Sequence, residues 1–108
     1  MKTVKLMLDY LQGPIWTSNV ETSKPRTGIA VVDNDENLRK VNFEISNLYS
    51  SYYEFDSHDQ ACWFNEEQEK ADKQKMLDLL GRLNARLTEI NDGSFKVEDL
   101  ETPRVQSL

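Results

Sequence analysis

The stretch NEEQEKADKQKMLDLLGRLNARLTEIN, residues 65–91, decides the fold. It reads as one long helix with two unlike halves. Met76, Leu80, Leu83, Leu87 and Ile90 recur at spacings of four, three, four and three. Those positions share one face of a helix and form an apolar seam, widened by Leu77 and Leu79. The first half, Glu66 to Lys75, offers only Ala71 as an apolar side chain. It must be solvated or set against a polar partner, while the second half holds the core. Asn65 can cap the helix, with Gln68 reaching back. Glu66/Lys70 and Glu69/Lys73 are acid-before-base pairs worth about 0.2–0.5 kcal/mol each. Asn91-Asp92-Gly93 ends the run, with Gly93 as the left-handed terminator. Such a helix is ~40 Å long, about the diameter of a domain of this size. Its polar end therefore projects past the core, or the helix bends, with Gly81 as the weak point.

A seam needs a matching one. Leu38, Val41, Ile45, Leu48, Tyr52 and Phe55 follow at spacings of three, four, three, four and three, which predicts a helix from Asn34 to Phe55. Asp33 with Glu36 three residues later resembles a capping box at its start. Residues 56–64 form the connection, so the two helices are antiparallel neighbours, with positions summing to about 120 opposite one another. Leu80 and Leu83 then face Val41 and Leu38, but Tyr52 and Phe55 face Gln68 and Asn65. The seams match at one end of the hairpin and mismatch at the other.

Outward from the helices the chain turns extended. Val4, Leu6, Leu8 and Tyr10 point one way over Thr3 to Tyr10, while Lys5 and Asp9 point the other with Met7 between them, the period of a half-buried strand. Gly13-Pro14 breaks it, and Ile15-Trp16 can start a short extended piece that is not counted among the three strands. Residues 17–27 are a polar loop containing Pro25. Ile29-Ala30-Val31-Val32 reads as a strand buried on both faces, over Gly28 to Val32. Ser94 to Leu100 alternates again through Phe95 and Val97. The expected fold is a two-layer α+β domain over residues 1–101, in the order β-β-α-α-β. An antiparallel helical hairpin packs on one face of a small three-stranded sheet. Residues 102–108, with Pro103 and no periodicity, are expected to form a flexible tail.

Composition narrows the function. With 108 residues the chain is one domain. A net charge of −6 and a pI near 4.7 disfavour direct binding to nucleic acid or to an anionic membrane. They permit a basic protein partner. Cys62 is the single cysteine, which excludes an intramolecular disulfide and a thiolate metal cluster within the chain. No apolar run approaches the ~18 residues of a membrane span, and a cytoplasmic location is expected.

Motifs for chemistry are sparse, and no cofactor or metal is expected. Asp33-Asn34-Asp35-Glu36-Asn37 has the oxygen spacing that opens a calcium loop. However, Leu38 stands where that loop needs glycine, and Glu44 lies mid-helix. Helix capping explains the same residues. His58, Asp59 and Cys62 are close in sequence, and a Cys62/His58 pair could serve a thiol nucleophile. The simpler reading is a loop histidine beside a half-buried cysteine. There is no GxGxxG, P-loop or GxSxG.

The concentration that stands out is aromatic. Tyr49, Tyr52, Tyr53, Phe55, Trp63 and Phe64 are followed at once by Glu66, Glu67 and Glu69. Trp63 and Phe64 either fold back to fill the mismatch between the seams or stand exposed. Aromatic anchors rimmed by acids suit a basic protein partner. The leading expectation is thus a non-enzymatic protein-binding module, of the immunity or inhibitor type, contacting its partner through Tyr49, Tyr52, Tyr53, Trp63, Phe64, Glu66, Glu67 and Glu69. The alternatives are an acidic nucleic-acid mimic occupying a DNA-binding protein, and a thiol enzyme. A homodimer through residual seam surface is also compatible with the pattern.

Overall fold

The computed structural model describes residues 2–19, 21–57 and 60–108. Strand β1 (Lys2–Leu6) is central in a three-stranded sheet, between β2 (Ile15–Trp16), antiparallel, and β5 (Phe95–Asp99), parallel. Val4 and Leu6 of β1, Ile15 of β2 and Phe95 of β5 are buried, while Lys5 and Lys96 face solvent. The alternation expected for the first strand therefore holds, but the strand ends at Leu6 rather than Tyr10. Residues 9–12 make a turn instead, closed by the Gln12 amide donating to the Asp9 carbonyl at 3.1 Å.

On the apolar face lie α2 (Glu36–Ser50) and α4 (Lys73–Ile90). Leu38, Val41 and Ile45 of α2 join Met76, Leu79, Leu80, Leu83 and Leu87 of α4 in one buried cluster with the sheet residues. Complete burial of such a side chain is worth about 1.5–3 kcal/mol relative to exposure. The Arg82–Glu44 contact (3.6 Å) and the Arg86 Nε–Asp35 bond (2.9 Å) show the antiparallel order. The fold is thus mixed α+β, with helices packed on a small three-stranded sheet, as the periodicities predict.

Several boundaries differ, each for a local reason. The run at Gly28 to Val32 is no strand; α1 (Ala30–Asp33) is a single helical turn. Ile29 and Val32, three apart, are buried, whereas Ala30 and Val31 are exposed. The Asp33 carboxylate accepts from the Thr27 and Gly28 amides and the Thr27 hydroxyl, which turns the chain back on itself. The cap of α2 is accordingly Asp35, not Asp33: its carboxylate accepts from the Leu38 amide at 2.9 Å. The Asp33 and Asp35 carboxylates, at the first and third positions of the calcium-like run, are engaged in these bonds.

The α2 helix stops at Ser50 rather than reaching Phe55. The chain then becomes a β-hairpin, β3 (Tyr53–Ser57) and β4 (Gln60–Phe64), where a plain connection is expected. Aromatic residues favour strands, and Phe55 satisfies a two-residue period with Tyr53 as readily as a helical one with Tyr52. The long helix is also two. The short α3 (Glu66–Ala71) and α4 meet at Asp72, while the chain runs unbroken through Gly81. The Asp72 carboxylate accepts from the Tyr52 hydroxyl (3.0 Å) and the Gln68 side chain (3.1 Å), which pins the junction. Asn65 caps α3 through the Gln68 amide as expected, but the Gln68 side chain goes to Asp72.

The expected C-terminal tail is also corrected. Residues Glu101–Gln106 form α5, with Val105 1% exposed. Asp99 starts the helix by accepting from the amides of Glu101 and Thr102, and Pro103 fits a first turn, where its missing N–H costs nothing.

The polar loop at residues 17–27 is tied to α2 by buried Asn42. Its side chain accepts from the Ile15 amide and donates to the Ser18 hydroxyl and the Ser23 carbonyl. Gly13 lies directly over it: a Cβ there would stand 2.5 Å from Asn42 Nδ2, so only glycine allows this approach.

Candidate functional site

The β3–β4 hairpin forms a two-stranded sheet of its own, set against the C-terminal end of α2. Cross-strand partners share a face. Tyr53 pairs with Phe64 and Phe55 with Cys62, so these four define one face; Glu54 and Trp63 define the other.

The first face meets the end of α2 and the turn after β1. Phe64 lies 4.9 Å from Tyr53, 5.6 Å from Tyr49 and 6.0 Å from Tyr52, centroid to centroid. Tyr10 lies 5.0 Å from Tyr53 and 5.6 Å from Phe55. The rings meet tilted or edge to face, geometries worth about 0.5–1.5 kcal/mol per pair beyond simple burial. Phe64 thus fills the gap left where the helical seams mismatch.

The cluster is graded from core to surface. Tyr52 is fully buried, Tyr49, Tyr53 and Phe64 are half-buried, and Phe55 is 54% exposed. Tyr10 and Leu11 at the neighbouring turn are also exposed. Burial pushes the Tyr49 hydroxyl to a higher pKa, and its contact with Tyr53 adds to the shift. Tyr52 moves the same way, through burial and its bond to Asp72. Both phenols remain neutral at physiological pH.

Two of the expected contact residues are interior. Tyr52 is one. Glu69 is the other: it is 5% exposed, and its carboxylate accepts from Arg104 of α5 at 2.9 Å. Arg104 also donates to buried Glu101 at 2.7 Å and lies 5.9 Å from the centre of the Tyr49 ring. Burial works against the Arg104 charge, but the two carboxylates more than offset it, and its pKa is raised. Glu101 in turn accepts from the Leu8 amide at 2.8 Å. This network closes α5 over α3, α2 and the end of β1, and it explains how a polar half-helix persists. Glu66 and Glu67 are exposed, as the contact-surface reading requires.

Charge is distributed unevenly. Residues 53–71, which hold β3, β4 and α3, contain six acids and one lysine, net −5 of the chain's −6. The remainder has thirteen acids against twelve basic residues, net −1. Arg104 compensates Glu69 from outside this segment.

For the thiol reading, Cys62 is exposed on β4 beside Phe55. His58 and Asp59 lie outside the described residues. Among the described residues no group of three or more His, Cys, Asp or Glu side chains could hold a metal ion. None of the helices among them is long and apolar enough to cross a membrane. An open groove of about 790 Å³ between α2 and α4 is lined by Glu44, Leu48, Lys75, Asp78, Leu79 and Arg82. Its mixed signs favour no ligand class.

Tyr10, Leu11 and Arg104 are the residues that sequence reading leaves out of this site. The first two join it through a turn that interrupts an apparently regular strand. Arg104 joins through a segment without periodicity. Comparison of the chain with protein-family models, curated proteins and solved structures yields no match.

Proposed function

We propose that the protein is a non-enzymatic module that binds a basic protein partner through the hairpin end, in the manner of an inhibitor or immunity protein. The observation that carries this reading is the coincidence of two features. The segment of sequence from 53 to 71 carries −5 of the chain's net −6, and beside it Tyr10, Leu11 and Phe55 expose apolar surface on a packed ring cluster. Exposed aromatic anchors with a charged surround are the usual composition of a binding hot spot. The contact surface is therefore Tyr10, Leu11, Tyr53, Phe55, Glu66 and Glu67, with Tyr49, Tyr52, Phe64 and Glu69 supporting it from within. The cytoplasm is the proposed location.

Phe55→Ser tests the site. Being more than half exposed, Phe55 contributes little to folding, so the melting temperature should stay close to that of the parent. Capture of the partner from the native cell should weaken by about tenfold or more, the scale of a hot-spot loss. Unchanged capture would remove the aromatic face from the interface. The segregated carboxylates also favour a second reading, a nucleic-acid mimic. That reading predicts binding that collapses with salt yet ignores Phe55→Ser.

A further inference from the structure

We propose that the outer edge of β3 accepts an extended cationic segment of the partner as a third strand. This rests on the basic-partner reading above and adds the mode of binding to it. A two-stranded sheet has two outer edges, and among the described residues no strand other than β4 pairs with β3. Proteins ordinarily guard such edges with charged side chains, lysine above all, with proline or with very short strands. The edges of the larger sheet follow that habit: β2 is two residues long and preceded by Pro14, and β5 carries Lys96. β3 and β4 are five residues each and contain neither lysine nor proline. The only charges on β3 are acidic, which repel a like edge but admit a cationic one. A free hairpin is marginal in water, but this one is held in place by Tyr10, Tyr49 and Tyr52 packing on one face.

Charge selects the edge and the occupant. β3 contains Glu54 and Asp56, whereas β4 contains no charged residue. Side chains of an added strand alternate between faces. Cationic side chains would fall on the face of Glu54, which also accepts a hydrogen bond from Asn65 at 3.1 Å, and apolar ones on the face of Phe55. A second copy of the chain is a poor occupant, because pairing β3 with itself would set like charges across the strands.

The test uses the full chain and three capped octapeptides, alternating Lys-Val, Lys-Pro and Glu-Val. Lys-Pro keeps the charge but cannot lie as a sheet strand. Calorimetry should show Lys-Val binding about tenfold or more tighter than Lys-Pro, and no binding of Glu-Val. Amide exchange in β3 should slow by a similar factor when Lys-Val is bound. Equal affinity for the two lysine peptides, or no added protection in β3, overturns strand addition and leaves the basic-partner reading intact. Absence of binding by both lysine peptides removes that reading, and strand addition with it. Concentration-dependent dimerisation that protects the same β3 amides without peptide assigns the edge to a second copy and overturns the proposal.

Discussion

At one end of the molecule Leu38, Val41 and Ile45 of α2 share a buried cluster with Leu80, Leu83 and Leu87 of α4. At the other end α3 has no apolar seam, and its one buried side chain is a carboxylate, Glu69, met by an arginine 35 residues further on. Both ends exclude water, but by different chemistry. Apolar contact is non-directional and tolerates small shifts of position. A buried ion pair holds only while its partners and their hydrogen bonds are in place. The difference locates stability at the seam and leaves the hairpin end with surface to offer a partner.

The seam is the costlier of the two ends to disturb. Leu80 is fully buried, and Leu80→Ala should cost about 2–5 kcal/mol, the range for a leucine truncated in a packed core. Urea unfolding measures it. A loss below about 1 kcal/mol would mean that the α2–α4 contact does not carry the fold.

Arg104→Met tests the other end. It leaves Glu69 and Glu101, 5% and 6% exposed, without their counter-charge. The expected loss is about 2–4 kcal/mol, toward the low side of the range for a broken buried pair, because Arg104 is itself partly exposed. Replacing Glu69 and Glu101 with glutamine in the same background should recover part of the loss. If the triple variant is no more stable than the single one, the penalty is lost packing on Tyr49 rather than stranded charge.

The same contrast explains which parts of the fold were legible. The seams at Leu38–Ile45 and Met76–Leu87 are local patterns, and their period alone determines face and partner. The alternation at Val4–Leu6 and Phe95–Val97 is equally local. The concentration of aromatics beside acids is legible in the sequence; in the fold Tyr53 and Phe64 are half-buried in the ring cluster, while Glu66 and Glu67 are exposed. What escaped depends on distant groups. The break at Asp72 follows from the Tyr52 hydroxyl, and the burial of Glu69 follows from Arg104. Neither leaves a trace in local periodicity. The hairpin did leave one, since two aromatic runs flank a short polar segment, but Leu48, Tyr52 and Phe55 also matched the helical period.

A smaller effect separates charge from capping at the seam end. The Asp35 carboxyl is held below the usual carboxylate range chiefly by its hydrogen bond with Arg86, despite partial burial. A lowered native pKa contributes stability that is fully present above the unfolded value and is lost as pH falls through the native one. Asn is also a good N-cap, so Asp35→Asn removes the charge and keeps the cap. The variant should be less stable than the parent at neutral pH, and the gap should close below about pH 4. Urea unfolding across that range measures it, and a gap independent of pH would exclude the Arg86 interaction as the cause. Asp99 is also lowered: burial pushes it up, but bonds from Thr102, Asn84 and Glu101 prevail. The parent should therefore lose stability over the same acidic window.

The smallest expected effect has the opposite sign. Gly81 lies in the middle of α4, is exposed, and has nothing within 4 Å of where a Cβ would stand. Its φ is not in the positive region, unlike Gly28 and Gly93. Glycine in a helix interior costs up to about 1 kcal/mol relative to alanine, because more freedom is lost on folding. No contact in the fold offsets that cost. Gly81→Ala should therefore raise stability by about 0.5–1 kcal/mol in urea unfolding. It should leave partner capture unchanged, since Gly81 is remote in sequence from the hairpin and faces solvent on the seam helix. A stabilised variant that no longer captures the partner would move the interface from the aromatic end to the outer face of α4, where a small residue permits close approach of another backbone.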